Sequence, residues 1–548
     1  MDQVVSRRGL LSAAGAAAAG VSLTPLAAPP ARADSAGAGA PTRSDPGVLR
    51  VRKEDSRYET LSQGFNQRWT SSPDYIQLIT NEADAVTAVK DALDAQLRPT
   101  VRSGGHCYED FTANTGGAIL DISGMRGVHR TTDSRGRTAY CVESGATNWD
   151  IYTTLFRRYG VTLPAGSCYS VGAGGHIAGG GYGLLSRRHG LTVDHLVQVD
   201  VVTVRGGKVE VARAHREDGG ALGDLFWAHT GGGGGNFGVV LRYYFAADIP
   251  APPADVWLSS VAWRWADLKD RPDDFGRLLR NYGEFLAAHS GDREQVYQGL
   301  FSLLRLTHKS NGNVVLTTQW DQEDPSPLNA FLNAVQAGLK TQATMQTSSA
   351  GGLFLPYTEK NRRMPWFQAT MTLNGSGDNQ RGKYKSAYHR RPFTTGQITG
   401  MWNWLTRDEP DLDLTQTLVQ IDSYGCRVNA VAPGDTAVPQ RDSVLKLQYQ
   451  SYWTDPEKDG AHLDFMNGFY QEVYLETGGY PETSEVAPEQ GTDGAYVNYP
   501  DTDLGRATDP DPLYPRLYYK GNYQRLQRAK SHWDPDNLFH HAQSIRLP

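Results

Sequence analysis

Hydrophobic and polar positions in the first half of the chain predict strands that are separated by helices. Short runs rich in β-branched and aromatic residues, typical of strands, lie at 75–79, 118–122, 139–143 and 197–204. A helix is predicted to open at Asn81, because acidic residues fill the turn that follows it. A second helix is predicted over 148–158.

The pattern changes after a proline-rich boundary at 249–253. Apolar and polar residues alternate over 256–265 and 314–320, which predicts strands, while 274–289 and 328–339 have a helical pattern. We therefore expect a first domain over 57–250 and a second, substrate-facing domain over 251–485. The remaining segment, 486–548, is expected to pack back on the first domain.

The N-terminus has the features of an export signal. Paired arginines, Arg7 and Arg8, precede an Ala/Gly-rich stretch, and Ala31-Arg32-Ala33 forms a small-x-small cleavage site. This pattern is typical of a twin-arginine signal peptide, so 1–33 is predicted to be removed on secretion and 34–56 to be flexible. The alternative is an uncleaved membrane tether. No other apolar run is long enough to span a bilayer.

Composition narrows the function classes further. The 548 residues carry a net charge of −6, which favours neither a nucleic acid nor an anionic membrane as partner. Four cysteines are too few for a disulfide scaffold, and none lies in a C-x-x-C pair. Cys141 and Cys426 are expected to be buried small hydrophobes, whereas the role of Cys107 stays open.

The candidate chemistry is centred on two glycine-rich stretches. The run 164–183 holds eight glycines in twenty residues together with Cys168, and 101–108 carries His106 between a glycine pair and Cys107. We expect the longer run to be a loop with no helix or strand interior, because glycine loses the most backbone entropy on folding. Such loops let main chain approach a flat or anionic ligand closely.

These stretches fit three other classes of site poorly. The segment 233–238 fits G-x-G-x-x-G, but a strand is predicted to follow it rather than the helix that a dinucleotide fold needs. No metal is expected, since the neighbouring histidines and cysteines lack ligand spacing. A Cys–His hydrolase would need a third, orienting group that the sequence does not show. A flavin site remains.

The motifs together carry a family resemblance. They are 102–106 (Arg-Ser-Gly-Gly-His), 166–168 with 171–176, 235–240 (Gly-Asn-Phe-Gly-Val-Val), 498–501 (Asn-Tyr-Pro-Asp) and 534–539. Over nearly the whole mature chain the sequence resembles the berberine bridge enzyme-like branch of the FAD-linked oxidases, which have the vanillyl-alcohol-oxidase fold. Within that branch the sequence, including the block 385–390, is most similar to actinobacterial natural-product oxidases of the aclacinomycin oxidoreductase type.

The resemblance implies an α+β fold. A two-subdomain, PCMH-type FAD-binding domain is expected beside a substrate domain whose antiparallel sheet is covered by helices. It also implies FAD bonded through His106 to the 8α carbon and through Cys168 to C6 of the ring. Imidazole and thiolate are nucleophiles that suit these bonds. The other cofactor-binding positions that it implies are Arg102, Ser103, Gly104, Gly105, Val171, Gly172, Gly174, Gly175, His176, Gly179, Gly235, Asn236, Gly238, Val240, Tyr496, Asn498 and Asn537.

Catalysis is also assigned by the resemblance. Tyr499 is implied as the base that takes a hydroxyl proton while hydride passes to the flavin, and Tyr388 as its partner. The alternative is that both are ordinary core aromatics. Because the ordinary tyrosine pKa is about 10, the site must stabilise a phenolate. Val171 matches a position where a small side chain leaves oxygen access to the ring.

We therefore expect a secreted oxidase that converts an alcohol of a sugar or a glycosylated, polyketide-like natural product to a carbonyl and reduces O2 to H2O2. An oligosaccharide oxidase that forms a lactone at the anomeric carbon and a dehydrogenase with another electron acceptor stay open. The rival from another class is a flavin-loaded binding protein without catalysis. Neither the substrate nor the oligomeric state follows from the sequence.

Overall fold

The computed structural model describes residues 49–345, 361–375 and 377–548, which all lie in one compact unit, Gly47–Pro548. The predicted signal peptide, 1–33, lies outside the described residues. Within those residues the strands form three sheets. No helix of the described part is both long and apolar enough to cross a bilayer.

The first two sheets are formed by the first half of the chain. A four-stranded sheet in the order β1-β2-β4-β3 contains parallel pairs, and a five-stranded antiparallel sheet has the order β5-β6-β9-β7-β8. Their strands are β1 Leu49–Val51, β2 Tyr75–Leu78, β3 Pro99–Arg102, β4 Ala118–Asp121, β5 Val128–Thr132, β6 Thr138–Glu143, β7 Leu196–Arg205, β8 Lys208–His215 and β9 Val239–Ala246.

The third sheet is formed by the second half. It has eight strands within the described residues, in the antiparallel order β13-β10-β12-β11-β16-β17-β15, and β14 pairs with β10. The strands are β10 Asp255–Arg264, β11 Leu300–Thr307, β12 Asn313–Trp320, β13 Thr344–Met345, β14 Asn361–Pro365, β15 Arg381–His389, β16 Leu418–Ser423 and β17 Leu445–Trp453.

Helices pack against these sheets and connect them. They are α1 Tyr58–Ser62, α2 Glu82–Asp94, α3 Asn148–Tyr159, α4 Ala173–Ala178, α5 Ser186–His189, α6 Gly220–Ala228, α7 Trp265–Leu268, α8 Pro272–Ala288, α9 Ser326–Gln336, α10 Trp366–Thr372, α11 Thr395–Thr406, α12 Asp459–Val473, α13 Tyr514–Tyr519 and α14 Tyr523–Trp533. The mixed composition, with an antiparallel sheet covered by helices, confirms the predicted α+β class.

Alternation along β17 shows how the third sheet separates two environments. Its sequence, Leu-Lys-Leu-Gln-Tyr-Gln-Ser-Tyr-Trp, places Leu445, Leu447 and Tyr449 in a core with α8, α9, α11 and α12. The alternate residues, beginning with Lys446 and Gln448, face the other way, because successive side chains of a strand point to opposite faces. One face of this sheet is thus apolar and covered by helices, and the other is polar.

The expectation that the glycine-rich run 164–183 contains no helix is wrong, since α4 lies inside that run. Its N-terminal amides are held by tertiary hydrogen bonds, from Ala173 N–H to the Ala146 carbonyl at 2.7 Å and from Gly174 N–H to the Ser144 carbonyl at 2.8 Å. A Cβ on Gly174 would lie only 3.0 Å from the Ser103 Cβ, so glycine permits this close packing. Packing outweighs the entropy cost of about 1 kcal/mol per helical glycine.

The expectation of a flexible stretch over 34–56 also fails in part. Residues up to 48 lie outside the described part, but β1 pairs antiparallel with β2, and Val51 is fully buried. The C-terminal segment contacts the first half, as in the hydrogen bond from Lys530 Nζ to the Asn236 carbonyl at 2.8 Å. The remaining domain boundaries stay predictions.

Candidate active site

A cavity of about 750 Å³ lies where the polar face of the third sheet meets the two glycine-rich stretches. His106, just after β3, and Cys168, just before α4, both line it. Tyr499 lines the same cavity from the C-terminal segment. The structure thus brings together the two predicted attachment residues and the predicted base.

The His106 and Cys168 stretches meet through glycine backbone. A Cβ on Gly104 would lie 2.4 Å from the Gly172 nitrogen, and one on Gly172 would lie equally close to the Gly104 nitrogen. Ser103 Oγ donates to the Ser144 carbonyl at 2.6 Å and holds the backbone next to Gly104 in place. Side chains at either glycine would push the two stretches apart.

His106 is held as a neutral imidazole. Its ring stacks on Phe65 with centroids 4.5 Å apart. Burial lowers the pKa of His106 to about 4. At neutral pH one ring nitrogen therefore keeps a free lone pair, which is the form that can act as a nucleophile.

Cys168 is anchored by the start of α3. Asn148 Nδ2 donates to the Cys168 carbonyl at 3.0 Å, and Asn148 N–H donates to the Val171 carbonyl at 3.0 Å. Burial raises the pKa of the Cys168 thiol to about 11, while the positive charge of Arg305 and a hydrogen bond with Ser167 oppose that rise. Arg305 thereby favours the thiolate, the nucleophilic form of cysteine.

Tyr499 lies among aromatic rings and one cation. Its ring is 5.6 Å from that of Tyr108, in the His106 stretch, and packs edge-on against Tyr496 at 5.0 Å. Lys446 Nζ lies 4.1 Å from the Tyr499 ring centroid and 4.9 Å from the centroids of Tyr496 and Tyr182. A fully buried ammonium therefore faces the predicted base.

Two opposing charges set the electrostatics around Tyr499. Burial raises the pKa of Tyr499 well above its usual value, and the negative charge of Asp422 raises it further. Lys446 is paired with Asp422 at 3.3 Å. Burial also lowers the pKa of Lys446 and raises that of Asp422. A cation over the ring favours the phenolate, so the position of Lys446 Nζ, 4.1 Å from the ring centroid, opposes the effect of burial.

Comparison with known proteins identifies the family. The FAD-binding-domain family model matches residues 73–213, and the berberine and berberine-like model matches 495–546. Aclacinomycin-N/aclacinomycin-A oxidase of Streptomyces galilaeus is 36% identical, with 99% of this chain and 98% of the relative covered. The chain belongs to the berberine bridge enzyme-like family of FAD-linked oxidoreductases. The resemblance inferred from the motifs is thus confirmed.

Two further relatives of this berberine bridge enzyme-like protein act on sugars by name. Hexose oxidase of Chondrus crispus is 37% identical over 90% of this chain and 94% of the relative. The structure of a glycopeptide hexose oxidase complexed with teicoplanin is 36% identical, with a TM-score of 0.81 over 91% of this chain and 99% of that one. The chain is an FAD-dependent oxidoreductase, as predicted.

The cavity walls of this berberine bridge enzyme-like chain fit FAD. Gly175 has no atom within 4 Å of where a Cβ would lie, and a Cβ on Gly234 would have the Gly175 Cα as its nearest neighbour at 3.9 Å. Asn148 Oδ1 and Thr100 Oγ1 are buried, line the cavity and have no hydrogen-bond partner among the described residues. Open glycine surface and spare polar atoms suit an extended ligand that both donates and accepts hydrogen bonds.

Most of the predicted cofactor-binding residues line this cavity. Besides the two attachment residues they are Ser103, Gly104, Gly105, Val171, Gly172, Gly174, Gly175, His176, Gly235, Asn236, Gly238, Val240, Tyr496 and Asn498. Their roles toward FAD stay predictions, but the structure places all of them around one space.

Three predicted cofactor-binding residues lie outside the lining. Arg102 pairs with Asp121 across β3 and β4 at 2.6 Å and steadies the strand that leads to His106. Gly179 makes room for Asn498, whose Oδ1 would lie 2.1 Å from a Cβ there. Asn537 is exposed in a turn with a φ of 51°, a conformation that asparagine tolerates.

Tyr388 also lies outside the lining. It is fully buried behind Tyr496, with ring centroids 6.0 Å apart, and packs edge-on against Tyr424 at 5.2 Å. Its β15 position is the register partner of Lys446 on β17. The structure thus places Tyr388 as a packing neighbour of the Tyr496 and Lys446 cluster, and a role as partner of Tyr499 stays a prediction.

Sequence reasoning missed the polar face of the third sheet. Gln448 Nε2 donates to Tyr108 Oη at 2.9 Å, Gln450 Nε2 donates to Gln448 Oε1 at 2.8 Å, and Tyr452 Oη donates to Gln450 Oε1 at 3.2 Å. All four side chains line the cavity. The alternation of polar residues along β17 was the available signal, because polar positions on a buried strand must face something other than core.

Proposed function

We propose that this protein is an oxidase that carries FAD bonded to both His106 and Cys168. It converts an alcohol of a sugar or a glycosylated, polyketide-like natural product to a carbonyl and reduces O2 to H2O2. The observation that carries the proposal is that both nucleophiles line one cavity together with Tyr499. A ring attached at two points needs less enclosure, which leaves room for a bulky substrate.

The substrate class is supported by the polar sheet face and by the relatives. The glutamines of β16 and β17 offer amide donors and acceptors, which suit the hydroxyl groups of an uncharged sugar. The named relatives include a hexose oxidase and an aclacinomycin oxidase. A neutral, hydroxyl-rich substrate is therefore favoured over a charged or apolar one.

In the proposed mechanism, Tyr499 removes the proton of the substrate hydroxyl. Lys446, 4.1 Å from the ring centroid, stabilises the phenolate that can accept this proton. When bound, FAD supplies a two-electron acceptor that O2 re-oxidises. In the overall reaction the alcohol loses two hydrogens to become a carbonyl, and O2 gains two to become H2O2.

Oxygen access is the reason for proposing an oxidase rather than a dehydrogenase. Val171 lines the cavity close to the Cys168 turn, and Asn148 N–H holds its carbonyl at 3.0 Å. A small side chain at this position leaves space for O2 beside the ring. Peroxide formed in air, in equal amount to product, is expected; reduction of a quinone without peroxide would favour the dehydrogenase.

Secretion is proposed from the sequence of the N-terminus, where Arg7 and Arg8 precede the Ala/Gly-rich stretch. The twin-arginine route carries folded, cofactor-loaded proteins, which suits an enzyme with a covalently attached flavin. Replacing both arginines by lysine is expected to retain the protein inside the cell, and unchanged export would contradict the proposal.

A substrate screen tests the proposed activity most directly. Hexoses, cello- and chito-oligosaccharides and aglycone-bearing glycosides are supplied in air, and oxygen consumption, peroxide and product are measured. A lactone from free oligosaccharides would favour oxidation at the anomeric carbon. If no hydroxylated compound reduces the flavin, the result contradicts the proposed alcohol oxidation and favours a flavin-loaded binding protein.

The matched variant for this screen is Tyr499→Phe, which removes only the phenolic oxygen. It is expected to lower turnover by about 10²- to 10⁴-fold with FAD still bound, the range for losing a general base. Undiminished turnover would remove Tyr499 from the mechanism. Tyr297→Phe makes the same change at a ring that packs against the helix-covered apolar face of the third sheet, outside the cavity lining, and serves as the control.

A further inference from the structure

Six charged side chains form a buried network behind the cavity. They are Arg68, Glu109, Lys383, Lys385, Asp501 and Asp503. Lys383 Nζ lies 2.7 Å from Asp501, 2.8 Å from Asp503 and 3.3 Å from Glu109. Lys385 Nζ lies 2.8 Å from Asp501 and 2.7 Å from Asp503. We call this set the six-charge network.

The six-charge network is electrically balanced. Three cations face three anions, and the side chains of Lys383, Lys385, Asp501 and Glu109 are at most 3% exposed. Only Asp503, at 41%, reaches solvent substantially. Although burial opposes both shifts, the negative charges of Asp501, Glu109 and Asp503 raise the pKa of Lys383, and the positive charges of the two lysines lower the pKa of Asp503.

The network joins segments that are far apart in sequence. Glu109 directly follows the His106 stretch, Lys383 and Lys385 are on β15, and Asp501 closely follows Tyr499. The Lys383–Glu109 contact spans 274 residues. Thr502 N–H also donates to Glu109 Oε1 at 3.4 Å across 393 residues, which links the His106 and Tyr499 segments directly.

The Cys168 turn is held by other groups. Asn148 Nδ2 donates to the Cys168 carbonyl at 3.0 Å, Tyr169 N–H donates to Asn374 Oδ1 at 3.1 Å, and none of the six charges bonds to this turn in the described residues. The network thus connects one attachment residue and the base, but not the second attachment residue. This asymmetry gives it a measurable signature.

We propose that the six-charge network is a positioning device that fixes the His106 stretch and the Tyr499 segment relative to each other, and thereby orients the attachment residue and the base that would face bound FAD. The proposal rests on the proposed function, since it concerns attachment at His106 and proton removal by Tyr499. Its members are positioning residues, because none of the six lines the cavity.

The physical basis is the cost of an uncompensated buried charge. Removing one partner of a buried ion pair leaves the other without a counter-charge, whereas removing two opposite charges together keeps the balance. In the Lys385→Met/Asp503→Asn protein, Lys383 keeps Asp501 at 2.7 Å and Arg68 keeps Glu109 at 3.2 Å. The double variant should therefore perform better than Lys385→Met alone.

The experiment compares Lys385→Met, Asp503→Asn and the double variant with wild type. Lys90→Met, which breaks an exposed helical ion pair with Asp94, is the matched control. Peptide mapping measures the fraction of flavin bonded at His106 and, separately, at Cys168. Steady-state kinetics give kcat and KM, and hydrogen exchange reports the amides of 103–110 and 498–505.

For Lys385→Met we expect a lower His106-bonded fraction at an unchanged Cys168-bonded fraction. We also expect kcat to fall about 10- to 100-fold at a constant KM, the effect of a misplaced catalytic group. Exchange in the two linked segments should rise. Asp503→Asn should have a smaller effect, because water reaches that carboxylate, and the double variant should recover toward wild type.

An equal fall in the flavin-bonded fraction at His106 and at Cys168 would show general destabilisation and overturn the proposal. So would a double variant no better than Lys385→Met, or variants that match wild type in every readout. If the wild-type protein holds no covalent flavin, the proposed attachment fails instead, and hydrogen exchange still decides whether the network orders the two segments.

Discussion

Replacing Lys446 tests whether its positive charge stabilises the phenolate form of Tyr499. Lys446 Nζ lies 4.1 Å from the Tyr499 ring centroid and 3.3 Å from Asp422. Lys446→Met keeps the length of the side chain and removes its charge. Because the cation favours the phenolate, its loss raises the pKa of Tyr499, and the pH at which the base becomes active moves upward.

The size of that change follows from the geometry. With the ammonium near the ring, the phenolate oxygen lies about 5 Å from it, and at an effective dielectric constant of about 20 the attraction is about 3 kcal/mol. That energy corresponds to about 2 pH units. The Asp422 carboxylate partly cancels the lysine charge, so we expect an observed change of about 1 to 2 units.

The assay is the pH profile of kcat/KM, measured with the best substrate from the screen. For Lys446→Met the limb at which activity rises with pH should move to higher pH. Asp422→Asn removes the opposing charge, so the same limb should move to lower pH. If the rising limb moved in the same direction in both variants, or in neither, the conclusion that these two charges control the pKa of Tyr499 would be refuted.

Three further predictions follow from the cavity walls. His106→Ala and Cys168→Ala should each leave FAD attached through the other residue, which intact mass and peptide mapping would show; complete loss of attachment in either variant would contradict independent bonds. Gly172→Ala should displace the His106 stretch, lower the stability by about 1–3 kcal/mol through overpacking and weaken FAD binding, which thermal unfolding and flavin absorbance would measure. Gly219→Ala, at a position with open space around the added Cβ, should change neither stability nor FAD binding. Val171→Leu should slow re-oxidation by O2 without slowing reduction by substrate, and stopped-flow traces showing the reverse would oppose its role in oxygen access.

Much of the fold follows from local patterns. Helix α3 was predicted over 148–158 and occupies Asn148–Tyr159. Thr147 caps its start with Asp150 in a capping box, and Gly160 ends it with a φ of 67°. Such signals lie within the element itself, so one sequence is enough to find them.

The helix inside the glycine run could not be found this way. Its stability comes from carbonyls of residues 144 and 146 and from the close approach of Ser103. These partners lie in other parts of the chain. Intrinsic propensity therefore predicted a loop where tertiary contacts produce a helix.

The attachment residues were assigned from motifs, but the groups that tune them were not. Lys446 faces Tyr499 from β17, and Arg305 reaches Cys168 from β11. Both belong to the second half of the chain, where the sequence suggested no pocket. The alternation in β17 carries that information only once it is known that one face of the strand meets a cavity.

The six-charge network shows the same limit. Each member resembles an ordinary surface charge in the sequence, and burial becomes visible only when segments 274 or 393 residues apart meet. Long-range pairing of this kind has no local signature.

The most direct measurement is the mass of the mature polypeptide after denaturation, followed by peptide mapping. We expect one FAD per chain, retained on unfolding, and a flavin that cross-links the peptide of His106 to the peptide of Cys168. A denatured chain with the mass of the bare polypeptide and colourless after removal of small molecules would contradict it.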